Sequence, residues 1–359
     1  MRIGYTYQGI SQKVGGVSRY FYEICSRLQI ENELIFMNRF SKNIYFNKEL
    51  IKKSEFFKEF KFRGKWRIEE YLEKTHTQKI LNNNKFDLIH HTGEFSQIFN
   101  YAKNTPIVIT IHDMTPEIFH TENKKRLGER KICIEKSAAI ICVSENTKND
   151  LFHFFPNIDK KKVFVIYHGV SENKYSYLPN IYNKKYILYV GSRYKYKNFD
   201  FFVESISKIL FERNLSLFCT GEKFTQSEEK LLKKLKIDDK VVNFGFVDDQ
   251  KLANLYHNAE CFVYPSLYEG FGIPILEAFQ HQCPACISEK SCFPEIAKDA
   301  AMYFNPTNAT SICNSIENTI NNKDCLIKKG NNRVLDFSWD KAAMETEKVY
   351  NMVISNDII

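Results

Sequence analysis

Short apolar runs alternate along this chain with longer stretches in which apolar residues recur every three or four positions. In the first half the runs are RIGYTY (2–7), ELIFMN (33–38), FDLIHH (86–91), IVITIH (107–112), AAIICVS (138–144) and VFVIYHG (163–169). In the second half they are YILYVGS (186–192), LSLFCTG (215–221), VVNFGFV (241–247), CFVYPS (261–266) and PACISE (284–289). Runs that are apolar on consecutive positions suit strands buried on both faces, and the periodic stretches between them suit amphipathic helices. Together they specify parallel α/β sheets. The segment SENKYSYLPNIYNKK (171–185) is polar and without period, so it reads as a linker. FSWDKAAMETEKVYNMV (337–353) closes the chain as a helix. The expected division is 1–172, 173–340 and a terminal helix over 341–359. In such folds ligands bind at the carboxyl ends of strands, which makes a cleft between two facing units the expected site.

Length agrees with this division, because 359 residues exceed what one core comfortably serves. Composition adds little: 43% hydrophobic and 26% charged residues make an ordinary globular balance. A formal net charge of +8 is too modest to imply a nucleic-acid partner but leaves phosphorylated ligands and membrane surfaces open. The ten cysteines are scattered, several inside apolar runs, as expected of small buried side chains in a reducing cytoplasm. Cys283, Cys286 and Cys292 resemble half of a zinc site, but no second pair or suitably spaced histidine completes it. The amino-terminal residues read as a strand and loop, not a signal peptide, and no run of about 18 apolar residues could span a bilayer.

The candidate chemistry is concentrated in SLYEGFGIPILEAF (266–279), where a glycine-rich loop runs straight into a helix with Pro274 expected at its start. Such a helix start offers N–H groups and the positive end of its dipole to an anion. Glu269 stands before the loop, and Glu277 is expected in the first turn of the helix, placed to accept from a diol such as ribose. Two carboxylates that accept from hydroxyls, beside an anion site, describe a site for a sugar nucleotide. The plainer reading is a capped helix with incidental acids.

YEGFGIPILE resembles the E-x7-E signature of glycosyltransferase family 4, retaining enzymes with a B-type fold of two Rossmann-like domains. The likeness continues, in order, through GGVSRY (15–20), TIHDMTPE (110–117), AAIICVSENTKNDL (138–151), VIYHGV (165–170), YVGSRYKYKN (189–198), FPEIAKDAA (293–301) and FSW (337–339). It comes nearest to bacterial enzymes of O-antigen and other surface polysaccharides, many of them mannosyltransferases. The resemblance implies an acceptor-binding first domain, a nucleotide-sugar-binding second domain and a terminal helix packing back toward the first. It implies that Lys197, with Arg193 on the same loop, meets the donor diphosphate. Gly15 and Gly16 approach the phosphates and the acceptor. Gly270, Phe271 and Gly272 offer backbone N–H groups to the hexose, Glu269 accepts from it, and Glu277 holds the ribose. Phe246 and Val247 line the nucleobase, and His112 contacts the donor sugar. Asp113 either orients His112 or meets the acceptor, and His91 is expected on the acceptor side. His168 stands where the family often has Asn and is read as structural. Ser192 departs from the pattern, standing where many members carry Arg.

The expected activity is therefore hexose transfer, with retention, from a nucleotide sugar to a glycan or lipid-linked acceptor in surface polysaccharide biosynthesis, with no metal or other cofactor. An inactive glycan- or nucleotide-sugar-binding protein of the same architecture is one alternative. A nucleotide-sugar epimerase is another. KKSEFFKEFKFRGKWR (52–67) holds seven Lys or Arg and five aromatic residues in sixteen. It is either a peripheral contact with anionic lipid at the inner membrane face or a helix packed on the first domain.

Overall fold

The computed structural model describes residues 1–46, 64–171 and 174–357. Of the basic aromatic segment 52–67, residues 52–63 lie outside the described residues, and so does the proposed membrane contact. Two compact units share the chain, Met1–Gly169 with Trp339–Ile359, and Val170–Ser338.

The first unit is built on β1 (Arg2–Tyr5), β2 (Glu33–Phe36), β3 (Leu88–His91), β4 (Ile107–Ile111), β5 (Ala139–Cys142) and β6 (Val163–Val165). They form one sheet in the order β2-β1-β3-β4-β5-β6, with every pair parallel. β3 and β5 are buried at every position, the two histidines of β3 included. The second unit contains β7 (Tyr186–Tyr189), β8 (Ser216–Cys219), β9 (Val241–Asn243), β10 (Cys261–Tyr264), β11 (Ala285–Ser288) and β12 (Ala301–Phe304). Its order is β12-β11-β10-β7-β8-β9, again all parallel. Because strands within a sheet share one direction, all the loops leaving their carboxyl ends gather along one edge.

In the first unit the Gly16–Leu28 and Trp339–Ile354 helices pack against each other. Trp339 and Tyr350 join Ile3, Tyr5, Tyr20, Phe21, Val108 and Ile141 in one buried cluster, so the end of the chain completes a core begun by its first strand. Arg27 Nε donates to Asp340 Oδ1 at 2.5 Å across the rim of the same contact. In the second unit the Phe199–Glu212 and Ala309–Asn321 helices supply Phe202, Val203, Ile206, Ile312 and Ile316 to a core with Ile187, Leu217 and Val263.

Three glycines follow β7, β8 and β9 and bring their loops together backbone to backbone. Gly221 has φ +110°, and a Cβ there would stand 2.6 Å from the Gly191 carbonyl oxygen. Its N–H donates to the Gly245 carbonyl at 2.9 Å. Only glycine suits Gly221, because any side chain would meet backbone that cannot swing aside.

Candidate active site

In the second unit the candidate side chains Lys197 and Glu269 come from loops that leave β7 and β10. After β7 the chain turns through the short 3-10 helix Lys195–Lys197. Asn198 then adopts a left-handed conformation and donates from Nδ2 to the Pro306 carbonyl at 2.7 Å, which fixes where the loop ends. After β10, Ser266 begins the glycine-rich loop. Lys197 Nζ and Glu269 Oε1 meet at 2.5 Å, with both side chains nearly buried. The same carboxylate oxygen accepts from Ser266 Oγ at 2.7 Å. Burial, and then the neighbouring Glu269 carboxylate, push the Tyr264 phenol well above its ordinary range. Ser291 Oγ donates to the Glu269 carbonyl and accepts from its N–H, so the main chain at Glu269 is fixed as firmly as its side chain.

The loop ends at Gly272, whose φ of +88° leads into the helix Ile273–Gln280. No side chain caps that helix, and Pro stands in its first turn. Its start therefore presents a partial positive charge with no carboxylate of its own. Phe271 is buried, its ring edge-on to Phe337 at 5.9 Å, so the loop is held by an aromatic anchor and its backbone is what remains to offer. Glu277 accepts from Tyr256 Oη at 3.2 Å. It lies outside the first turn, contrary to expectation, because the helix already begins at Ile273. Asp248 caps the Asp249–His257 helix through the Lys251 N–H. Phe246 is 75% exposed in the loop before that cap, and Val247 is half-buried.

In the first unit β3 and β4 are neighbours, so the turns after His91 and after Ile111 lie side by side. Between them is a cavity of about 270 Å³ lined by His112, Asp113, Glu94, Gln8, Arg126 and Arg130 among others. Burial holds the His112 imidazole down at about 4; nearby Asp113 works against that shift and Arg130 adds to it. Its Nε2 is buried without a hydrogen-bond partner. A neutral ring with one nitrogen uncommitted can meet a hydroxyl or steady positive charge without carrying charge itself. Asp113 Oδ1 accepts from the Thr115 N–H at 2.9 Å. Gly15 and Gly16 are exposed at the start of the Gly16–Leu28 helix, where the Gly15 carbonyl accepts from Ser18 Oγ at 3.0 Å.

Two family models divide the chain. Residues 14–174 match Glycosyltransferase Family 4, and residues 171–333 match the glycosyl transferases group 1. The chain carries the two domains of a glycosyltransferase. It is 29% identical to the O-antigen chain mannosyltransferase RfbU of Salmonella typhimurium, over 65% of this chain and 65% of that one, just under two thirds of the relative's length. It is 24% identical to the O-antigen chain mannosyltransferase B of Escherichia coli, over 98% of this chain and 100% of that one. Among solved structures, the sucrose-phosphate synthase of Thermosynechococcus elongatus superposes with a TM-score of 0.80 at 18% identity, covering 99% of both chains. The Anabaena protein HepE in complex with UDP and glucose gives 0.75 at 13% identity, covering 98% of this chain and 99% of that one. These likenesses extend the fold over both units of the glycosyltransferase.

Not every residue singled out in the sequence sits as expected. Arg193 was expected beside Lys197 at the donor phosphates. Its Nε instead meets Glu228 Oε1 at 2.8 Å, and one Nη donates to the carbonyls of Glu222 at 2.6 Å and Lys223 at 2.9 Å. The guanidinium lies over the Phe224 ring at 4.7 Å, with its remaining Nη buried and unpartnered. A cation so committed ties β7 to the capping box at Thr225, and its role is structural. His91, expected on the acceptor side, is 1% exposed; its Nδ1 bonds Thr6 Oγ1 at 2.9 Å and its ring stands edge-on to Phe95. It is a core residue because Thr6 and Phe95 close over it. His168 stacks on Tyr20 at 5.0 Å and leans on Trp339, the structural role expected of it.

One residue absent from the sequence reading organises the first unit's site. Arg130 meets Glu94 Oε1 at 2.6 Å and Glu117 Oε1 at 2.8 Å, and donates to the Asp113 carbonyl at 2.6 Å. It thereby joins the turns after β3 and β4 to the Thr115–Phe119 helix. Among the described residues no group of three or more His, Cys, Asp or Glu side chains is arranged to hold a metal, and no helix is long and apolar enough to cross a membrane.

Proposed function

We propose that this glycosyltransferase transfers a hexose, of mannose or glucose type, from a nucleotide sugar to a glycan or polyisoprenoid-linked acceptor, with retention at the anomeric carbon. The observation that carries the reading is the Lys197–Glu269 pair beside an uncapped, glycine-fed helix start. Breaking a sugar–nucleotide bond leaves negative charge on the departing diphosphate, and a fixed cation with oriented N–H groups stabilises that charge where it develops. Lys197 and the helix start are assigned to the diphosphate, Glu269 to the hexose hydroxyls and Glu277 to the ribose. In the first unit His112 supplies a neutral imidazole to the sugar, and Asp113 lines the acceptor side. The named relatives favour mannose, and GDP-mannose is accordingly the first donor to try.

A panel of GDP-mannose, UDP-glucose, UDP-galactose and UDP-N-acetylhexosamines, followed by thermal unfolding, tests the assignment. A true donor at 100 times its dissociation constant should add about 2.7 kcal/mol of stability. If no member of the panel raises the midpoint, the nucleotide-sugar reading fails. The reading also assigns the positive potential at the diphosphate to Lys197 and the helix start, so no divalent ion is required. Turnover in excess chelator should stay within twofold of that in Mg²⁺. Activity lost in chelator and restored by Mg²⁺ or Mn²⁺ would contradict the assignment.

A further inference from the structure

Lys197 already has a partner inside the protein. Its ammonium is held at 2.5 Å by Glu269, whose carboxylate also accepts from Ser266 Oγ and whose main chain is pinned by Ser291. Both members of the pair are nearly buried, at 14% and 12% exposure, so neither is well solvated by water and each depends on the other. A diphosphate arriving at Lys197 must therefore compete with an internal carboxylate.

We infer that Glu269 competes with the nucleoside diphosphate for Lys197 and thereby favours the intact donor over the spent nucleotide. The inference rests on the functional reading above. An intact nucleotide sugar compensates for the broken pair, because its hexose hydroxyls give Glu269 new partners while its diphosphate takes Lys197. A nucleoside diphosphate offers the second and not the first. It leaves Glu269 nearly buried and unmatched beside a multiply charged diphosphate, which is costly. Once the hexose has gone to the acceptor, the carboxylate recaptures the lysine and the nucleotide is expelled. Glu269 is in this sense a specificity determinant whose effect has opposite sign for substrate and product.

Isothermal titration of GDP and UDP into wild type, Glu269→Gln, Lys197→Met and the double variant tests the idea. Glutamine keeps the shape and the hydrogen bond from Ser266 but cannot hold an ammonium by charge. Glu269→Gln should bind the nucleoside diphosphate at least threefold more tightly than wild type, and the matching nucleotide sugar more weakly. In the Lys197→Met background the same change should leave nucleoside diphosphate affinity unaltered, since the contested cation is gone. Glu269→Gln binding the diphosphate no better than wild type overturns the inference. Tightening that persists without Lys197 also overturns it, pointing to plain repulsion between carboxylate and diphosphate. If Glu269→Gln unfolds early, Glu269→Ala replaces it with the same expected sign. Should neither nucleotide bind to wild type or any variant, the nucleotide-sugar reading itself falls and takes this inference with it.

Discussion

Replacing Lys197 by alanine should lower turnover about a hundredfold, on the order of 3 kcal/mol at the barrier, with weaker donor binding. The side chain meets charge twice, on the bound diphosphate and more strongly on the departing one, so ground state and transition state both suffer. The fold should survive, because the loop is fixed by Asn198 and Pro306 and the partner carboxylate keeps its bond from Ser266. Glu277→Ala gives the contrast. Its carboxylate is assigned to ribose, remote from the bond that breaks, so KM for the donor should rise while kcat changes little. Steady-state kinetics on the three proteins decides the matter. Turnover of Lys197→Ala within twofold of wild type would remove the lysine from the mechanism.

The first unit should lose stability steeply in mild acid. Burial lowers His90 and His91 to about 3, His112 to about 4 and His168 well below its ordinary value. As pH falls below the unfolded value near 6.5, the unfolded chain takes up protons at these rings while the folded chain does not. Stability then falls with falling pH until about 4. Two carboxyls oppose this. Glu73 is raised to about 7 by burial, despite accepting the Arg39 and Phe40 N–H groups, and Glu117 is raised by burial beside Arg130. These two hold protons in the folded state that the unfolded chain releases, so their contribution declines as pH rises. The four histidines outnumber the two carboxyls, so near pH 5.5 the unfolded chain binds more protons than the folded one, and each net proton is worth about 1.4 kcal/mol per pH unit. Both tryptophans, Trp66 and Trp339, belong to the first unit, so fluorescence-detected denaturation reports on it alone. Equal midpoints at pH 6.5 and 5.5 would sink the prediction.

The eleven strands expected from apolar runs all form, and β5, β7, β8, β10 and β11 are buried at every position, which leaves them little choice but to be apolar. The twelfth, Ala301–Phe304, went unseen because AMYF merges with the alanines of the preceding helical segment. At the site, identity and spacing were legible and direction was not. Arg193 and Lys197 lie four residues apart on one loop, yet one points inward to Glu228, 35 positions away, and the other to Glu269. That choice is made by partners that local sequence does not reveal. Arg130 was hidden for the same reason: in KKRLGERKICIEK four basic residues precede it or adjoin it, and only the tertiary fold selects which one turns inward. His91 misled because the carboxyl end of a strand was taken to be open, whereas Thr6 and Phe95 close over it.

The bond between Tyr5 and Tyr350 hydroxyls joins residues 345 positions apart. On a ribosome adding about 5–20 residues per second, the partner of that first strand arrives roughly 20 to 70 s after it. Val170–Ser338 is contiguous and can close as soon as it emerges. The amino-terminal sheet waits with the face reserved for Trp339 and Tyr350 uncovered until those residues have been made. For the two units the order of synthesis and the order of completion are reversed, and it is the earlier-made unit that needs shielding longer.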